Sequence, residues 1–158
     1  MPRTFLRLLI LFIASFLVIQ TNTAQGKKKR KKIDRVILEA NKYIGTPYRY
    51  GGTTKAGIDC SGLIQNCYKT IGVELPRTAK EQSKIGSSKN LGHIRPGDIV
   101  YFKFKSKREK WYHTGMITYA EEDDIRFIHA STSRGVVEDS LLDEYYSKNI
   151  KKMRRVIK

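Results

Sequence analysis

Cys60 is the residue of this 158-residue chain best placed to act as a nucleophile. It stands where a glycine-bearing loop (Gly51, Gly52, Gly57) gives way to Leu63, Ile64, Cys67, Tyr68 and Ile71, which recur at helical spacing. Cys60 is therefore expected to be the first residue of a buried helix. A thiol attacks as its thiolate, and a helix N-terminus, with unpaired N–H groups and the positive end of the dipole, stabilises that anion. Asp59, Ser61 and Gly62 around it are not core residues, whereas Cys67 has the apolar setting of a small buried hydrophobe. The stretch of helix between the two thiols spans about 10 Å, too far for a disulfide, so both are expected to be free.

A cysteine nucleophile needs a base to accept its proton and a third group to hold that base in the right tautomer. His113 opens one expected strand, Trp111 to Ala120, and His129 closes the next, Ile125 to Ser131. Joined through Glu121, Glu122, Asp123 and Asp124, the two strands read as a hairpin, so both histidines lie at the same end of the sheet. A turn centred on Glu121 would set them directly opposite each other. His93, in the loop after Asn90, has no such setting and is expected at the surface.

Two further side chains have candidate roles. Thr46 to Gly52 cannot be helical, because Pro47 restricts its predecessor and the paired glycines adopt conformations other residues resist. That segment is expected to bring Tyr48 or Tyr50 near Cys60, where a phenol hydroxyl donates to a thiolate or to a developing oxyanion. Arg77, at the mouth of the turn from Gly72 to Thr78, is either a fork for a substrate carboxylate or a solvated surface residue.

The elements that must position these groups follow from patterning. Ile33 to Ile44 carries Ile33, Val36, Ile37, Ala40 and Ile44 on one face, an amphipathic helix closed by Gly45. Thr78 to Ile85 reads as a short helix with Thr78 as cap and Glu81 completing a capping box. A turn at Arg95 to Asp98 leads into a strand, Ile99 to Phe104, with Val100, Phe102 and Phe104 on one face, followed by a basic loop from Lys105 to Lys110. Leu141 to Tyr146 is expected to be a short helix and Met153 to Ile157 a final strand.

Residues 1–26 read as a secretory signal: Arg3 and Arg7 lead into the apolar Leu8 to Ile19, and Ala24 and Gly26 offer cleavage positions. The chain is accordingly expected to be exported to the periplasm or cell envelope, the other reading being an uncleaved anchor. Residues 27–32, all lysine or arginine, have no apolar residue to pack and are expected to be disordered. They contribute to a formal net charge of +16, which implies affinity for polyanions such as anionic wall polymers or a membrane surface rather than a nucleic-acid role. Two cysteines and three scattered histidines match no zinc pattern, and Gly51-Gly52 lacks the lysine of a phosphate-cradling loop, so neither metal nor other cofactor is expected. Residues 33–158 are of a size for one catalytic domain, expected to be a monomer.

Tyr48-Arg49-Tyr50-Gly51-Gly52, Asp59-Cys60-Ser61-Gly62-Leu63, Leu75-Pro76-Arg77, Pro96-Gly97-Asp98, His113-Thr114-Gly115-Met116 and Phe127-Ile128-His129-Ala130-Ser131 resemble, in order and spacing, the NlpC family of papain-like cell-wall peptidases. The resemblance runs from about Ile33 to Ile157. It implies a papain-like α+β fold in which the helix bearing the nucleophile packs on a central antiparallel sheet. It implies hydrolysis of peptidoglycan stem peptides at bonds involving D-glutamate or meso-diaminopimelate. Carried over by position, Cys60 is the nucleophile, His113 the base, His129 its orienting partner and Tyr48 the hydroxyl near the oxyanion, while Asp59, Ser61 and Arg77 line the substrate groove. An amidase or acyl-transfer enzyme on the same fold is the first alternative, a non-catalytic wall-binding module the second. A binding module has no need of Cys60, His113 and His129 together.

Overall fold

The structure, a computed structural model, describes residues 24–105 and 110–158. The expected leader up to residue 23 and the centre of the basic loop after Lys105 lie outside the described residues. The chain divides into two compact units between Lys32 and Ile33. Residues 24–41 are helical (α1), residues 27–32 included, which corrects the expectation of a disordered basic run. Lysine and arginine are good helix formers, and a helix propagates cheaply from a turn already made. Among the described residues no helix is long and apolar enough to cross a membrane.

The inward face of α1 is Val36 and Ala40, with Ile33 and Ile37 partly buried against the same core. The helix ends at residue 41, three residues before the expected Ile44. The turns that follow rotate Tyr43 inward and leave Ile44 57% exposed, against the expectation that Ile44 is on the buried face. Backbone bonds from Gly45 to Val136 and from Val136 to Thr46 then tie the segment to the sheet.

Two short strands, β1 (Thr53–Thr54) and β2 (Gly57–Ile58), form a small hairpin that delivers the chain into α2 (Cys60–Lys69). Leu63, Ile64, Cys67 and Tyr68 of α2 are fully buried, each fully buried apolar side chain contributing about 1.5–3 kcal/mol. Thr78 caps α3 (Ala79–Gln82) by accepting from Glu81 N, but the Glu81 carboxylate pairs with Lys84 instead of reaching back, so only half of the capping box forms and the helix is shorter than expected.

The remaining strands are β3 (Ser87–Lys89), β4 (Ile99–Lys105), β5 (Lys110–Ala120), β6 (Ile125–Ser131), β7 (Gly135–Ser140) and β8 (Ile150–Arg155). They form one antiparallel sheet in the order β3-β8-β4-β5-β6-β7. The expected strand from Met153 is found three residues earlier as β8, and the expected helix from Leu141 is the single turn α4 (Glu144–Ser147), capped by Asp143. Neither edge strand, β3 nor β7, was expected.

Both faces of the sheet are covered. On one, Ile99, Tyr101, Met116, Ile128, Ala130 and Val136 pack against α1 and α2. On the other, Val100, Phe102, Phe104, Ile117, Ile125 and Phe127 meet Leu141 and Tyr146 from the segment leading into and through α4. The α+β class, with the Cys60 helix on an antiparallel sheet, is as expected. The second, aromatic layer is what surrounds the histidines.

Candidate active site

Asp59 starts α2. In an extended conformation, its carboxylate Oδ1 accepts from Gly62 N at 2.7 Å, leaving Cys60 as the first helical residue, as expected. Gly62 itself is required by close approach: a Cβ there would lie 2.5 Å from the Gly52 carbonyl oxygen. The Asp59 carboxylate also accepts from Gly51 N and, in a bidentate fork, from Arg77 at 2.9 and 2.7 Å. Arg77 donates in addition to Ser61 Oγ at 2.9 Å, and that hydroxyl donates to Asp59.

Asp59, Ser61 and Arg77 are therefore brought together, but as a brace. Asp59 and Ser61 are buried, and the Arg77 fork is engaged by Asp59 instead of standing open to a substrate carboxylate. Burial alone would raise the Asp59 carboxyl, but the hydrogen bonds from Arg77 and Gly62 hold it below its ordinary range.

Of the two tyrosines, Tyr48 is the one at the site. It bridges Ile58, one residue pair from the helix start, while Tyr50 is 90% exposed. Burial, then the charges of Cys60 and Asp59, push the Tyr48 phenol up to about 12, so it keeps its proton at neutral pH.

The histidines meet across β5 and β6, with His113 Nε2 2.7 Å from His129 Nδ1 and their rings edge to face at 4.9 Å. The expected register is corrected. Ala120 pairs with Ile125, which centres the turn between Glu122 and Asp123, and the irregularity between Ile117 and Tyr119 takes back only part of that offset, so Met116 pairs with Ile128 and the histidines are diagonal neighbours, not directly opposed. Continuing the ladder sets Gly115 opposite His129, and a Cβ at Gly115 would come within 3.1 Å of the His129 Cβ and 2.6 Å of the Phe127 ring. Glycine leaves the room in which the rings cross.

Phe127 stacks on His129 at 4.7 Å, and Phe102 lies 6.0 Å from His113. Burial in this aromatic layer, and then His129, push the His113 imidazole down to about 3. A cavity of about 380 Å³ opens beside the two rings, lined also by Phe104, Ser131, Arg134 and Tyr145. His93 is exposed and bonded to Asn90, the surface role expected of it.

Cys60 lies near the residue of β5 next to His113. Cys60 is 7% exposed, and the N–H of Thr114, the residue after His113, is among the groups that favour its thiolate, with those of Ser61 and Cys60 itself. Burial and the Asp59 charge outweigh them and push the thiol up to about 11. Burial thus works against a resting thiolate at the helix terminus, and the two shifts together favour a neutral thiol and a neutral imidazole. Cys60 and Cys67 are both free, as expected, and Cys67 is part of the core.

A pH-dependence follows. A raised thiol pKa means that the reactive anion accumulates only as pH rises, so labelling of Cys60 by iodoacetamide is slow near neutrality and climbs through the alkaline range toward about pH 11. Mass spectrometry of the alkylated protein across pH reads this. A labelling rate already at its plateau near neutral pH would mean a thiolate–imidazolium pair and refute the neutral resting state.

Sequence reasoning missed the residues behind His129. Asp139 Oδ2 lies 2.9 Å from His129 Nε2 and accepts from Tyr146 Oη at 2.8 Å, and Arg134 grips both of its oxygens. Asp139 lies in β7 opposite Phe127, again a diagonal neighbour of His129. Its signal is weak, because apolar alternation ends at Val137 and leaves Glu138, Asp139 and Ser140 to read as loop.

A sequence profile of the NlpC/P60 family matches residues 45–155. The chain is 41% identical over 113 residues to the probable endopeptidase NlpC of Escherichia coli K12, covering 71% of this chain and 70% of that protein. It is 37% identical over 124 residues to the murein DD-endopeptidase MepS/murein LD-carboxypeptidase of the same organism, covering 78% of this chain and 62% of that one. Among solved structures, an NlpC/P60 family protein from Bacillus cereus superposes with a TM-score of 0.70 at 28% identity, over 80% of this chain and 40% of the other. On a profile match over most of its length, and on relatives this similar, the chain belongs to the NlpC/P60 family.

Proposed function

We propose that this protein is a cysteine endopeptidase of the cell envelope that hydrolyses amide bonds in peptidoglycan stem peptides or their cross-links, at D-glutamate or meso-diaminopimelate. The observation that carries the reading is the start of α2 lying against the His113–Thr114 step of β5, with His113 Nε2 bonded to His129. Relatives named as a murein endopeptidase and as a gamma-DL-glutamyl hydrolase support the substrate class.

In this reading the Cys60 proton passes to His113 Nδ1 as sulfur attacks the scissile carbonyl. The oxyanion is met by N–H groups at the α2 terminus and by the Tyr48 hydroxyl, which burial keeps protonated. His113 returns the proton to the leaving amine, and water, activated by the same ring, hydrolyses the thioester. Asp59, Ser61 and Arg77 hold the helix start rigid and form the wall of the acyl side of the groove. The exposed basic residues of 27–32 hold the protein on anionic wall polymers or a membrane surface.

The test is digestion of purified sacculi, with the new termini identified by mass spectrometry. Soluble muropeptides cut at a D-glutamate or meso-diaminopimelate amide are expected; protein that binds sacculi and cuts nothing would leave only a wall-binding module. Raised salt in the same assay should release the protein from sacculi without slowing cleavage of a soluble muropeptide. Unaltered retention would remove the role assigned to residues 27–32.

A further inference from the structure

The chain of contacts behind His113 continues through His129 to Asp139, Arg134 and Tyr146, and its proton inventory is determined by chemistry. The Asp139 carboxylate is engaged by His129 Nε2 at 2.9 Å, by Tyr146 Oη at 2.8 Å, by Arg134 Nη1 at 3.0 Å and by Arg134 Nη2. Burial would raise this carboxyl, but the hydrogen bonds from Arg134, His129 and Tyr146 hold it well below the usual carboxylate range. An ionised carboxylate only accepts, so His129 carries its proton on Nε2. A neutral His129 then offers a lone pair at Nδ1, and the 2.7 Å contact to His113 Nε2 takes its proton from His113. That leaves Nδ1 of His113 as the unprotonated nitrogen.

Resting on the endopeptidase reading above, we propose that Asp139 and Arg134 are positioning residues for the reaction. Asp139 fixes the tautomer of both histidines so that the free lone pair of His113 is at Nδ1, and Arg134 keeps His129 neutral so that this arrangement persists at working pH. The relay crosses three adjacent strands, β5, β6 and β7, along one diagonal.

Arg134 has a distinct part. The groups facing His129 are His113 from β5, Asp139 from β7, Arg134 from the β6–β7 turn and Tyr146 from α4. Burial lowers the His129 pKa, Asp139 raises it and Arg134 lowers it. Without Arg134 only burial opposes the carboxylate, and the His129 imidazolium becomes accessible at higher pH. An imidazolium donates from both nitrogens, so His113 Nε2 would have to accept and its proton would move to Nδ1, the wrong atom.

The tests use the full chain, starting from wild-type protein shown to cut a soluble muropeptide. A wild-type protein that cuts nothing would defeat the endopeptidase reading itself, whereas the outcomes below bear on the relay. Asp139→Asn, whose amide N–H₂ turns toward His129 when its oxygen pairs with Arg134, should lower kcat on the order of 10²-fold with KM unchanged. Its Cys60 should still be alkylated at wild-type rate in alkaline solution, where no base is needed. Asp139→Glu should recover part of kcat. Arg134→Met should move the acid limb of the kcat profile upward by about one pH unit. Nitrogen-15 NMR of labelled wild-type imidazoles should show the proton on Nε2 of both rings, and it reads the relay even where Asp139→Asn does not fold. Wild-type kcat in Asp139→Asn, an unmoved acid limb in Arg134→Met, or a proton on Nδ1 of His113 in the wild type would each overturn the proposal.

Discussion

Replacing Cys60 by alanine is expected to abolish hydrolysis of both sacculi and soluble muropeptides, a loss of at least about 10⁴-fold, with the fold intact. The thiol makes little of the core: Cys60 is the first residue of α2, held by the Asp59 cap and the Arg77 fork, and both remain. Cys60→Ser is expected to be as inactive, because an alcohol is a weaker acid than the thiol at about 11 and the proposed base, His113 at about 3, is weak. Cys67 provides the opposite result. It is fully buried on the core face of the same helix, so Cys67→Ala should cost stability on the order of 1 kcal/mol while activity persists. Undiminished turnover in Cys60→Ala would remove the covalent mechanism, and with it every role assigned to the histidines.

The centre of the sheet and the start of α2 were legible because their signals are local. Alternation in Ile99 to Phe104 and in Ile125 to Ser131 gave strands whose bounds the structure matches within a residue, and the change from glycines to helical spacing placed Cys60. Both edges of the sheet were illegible. Ser87–Lys89 is wholly polar and Gly135–Ser140 loses its apolar residues after Val137, as edge strands facing solvent do. Asp139 was lost with β7, since no residue near it in sequence marks it as the partner of His129. Register failed for a related reason: in the run Glu121 to Asp124 no residue declares the centre of the turn, which falls between Glu122 and Asp123 and not on Glu121, and the irregularity between Ile117 and Tyr119 takes back only part of the offset.

Electrostatics was the other gap. The helix terminus at Cys60 does supply N–H groups, but the sequence does not show how far the site is withdrawn from water or that Asp59, paired with Arg77, sits beside the thiol. The same burial that pushes the thiol up pushes His113 down, so both shifts favour uncharged partners. On the proposed mechanism the proton transfer that charges them accompanies attack, and the groups assigned to the resulting charges, Tyr48 at the oxyanion and the His129–Asp139 pair behind the imidazolium, act in the transition state rather than at rest.

That division of labour sets the expected order of damage between the histidines. On the proposed mechanism His113→Ala removes the group that accepts the thiol proton and later protonates the leaving amine. No substitute stands close, because His129 Nδ1 was directed at the lost ring and its Nε2 is held by Asp139. The variant is expected to be close to inactive. His129→Ala leaves the base in place, still caged by Phe102 and Phe104, and leaves Asp139 satisfied by Arg134 and Tyr146. His113 then chooses its own tautomer instead of having one imposed, and part of the time it presents Nδ1 free. It also loses the His129 influence that lowers its pKa, which partly offsets the loss of orientation by making it a better base. A gap of about 10²-fold in kcat between His129→Ala and His113→Ala is expected, the size seen where an orienting residue and a base are removed separately from a triad. Steady-state kinetics on a soluble muropeptide, with circular dichroism to verify folding, decides it: if His129→Ala is the more damaged of two folded variants, the roles of base and orienting partner are assigned the wrong way round.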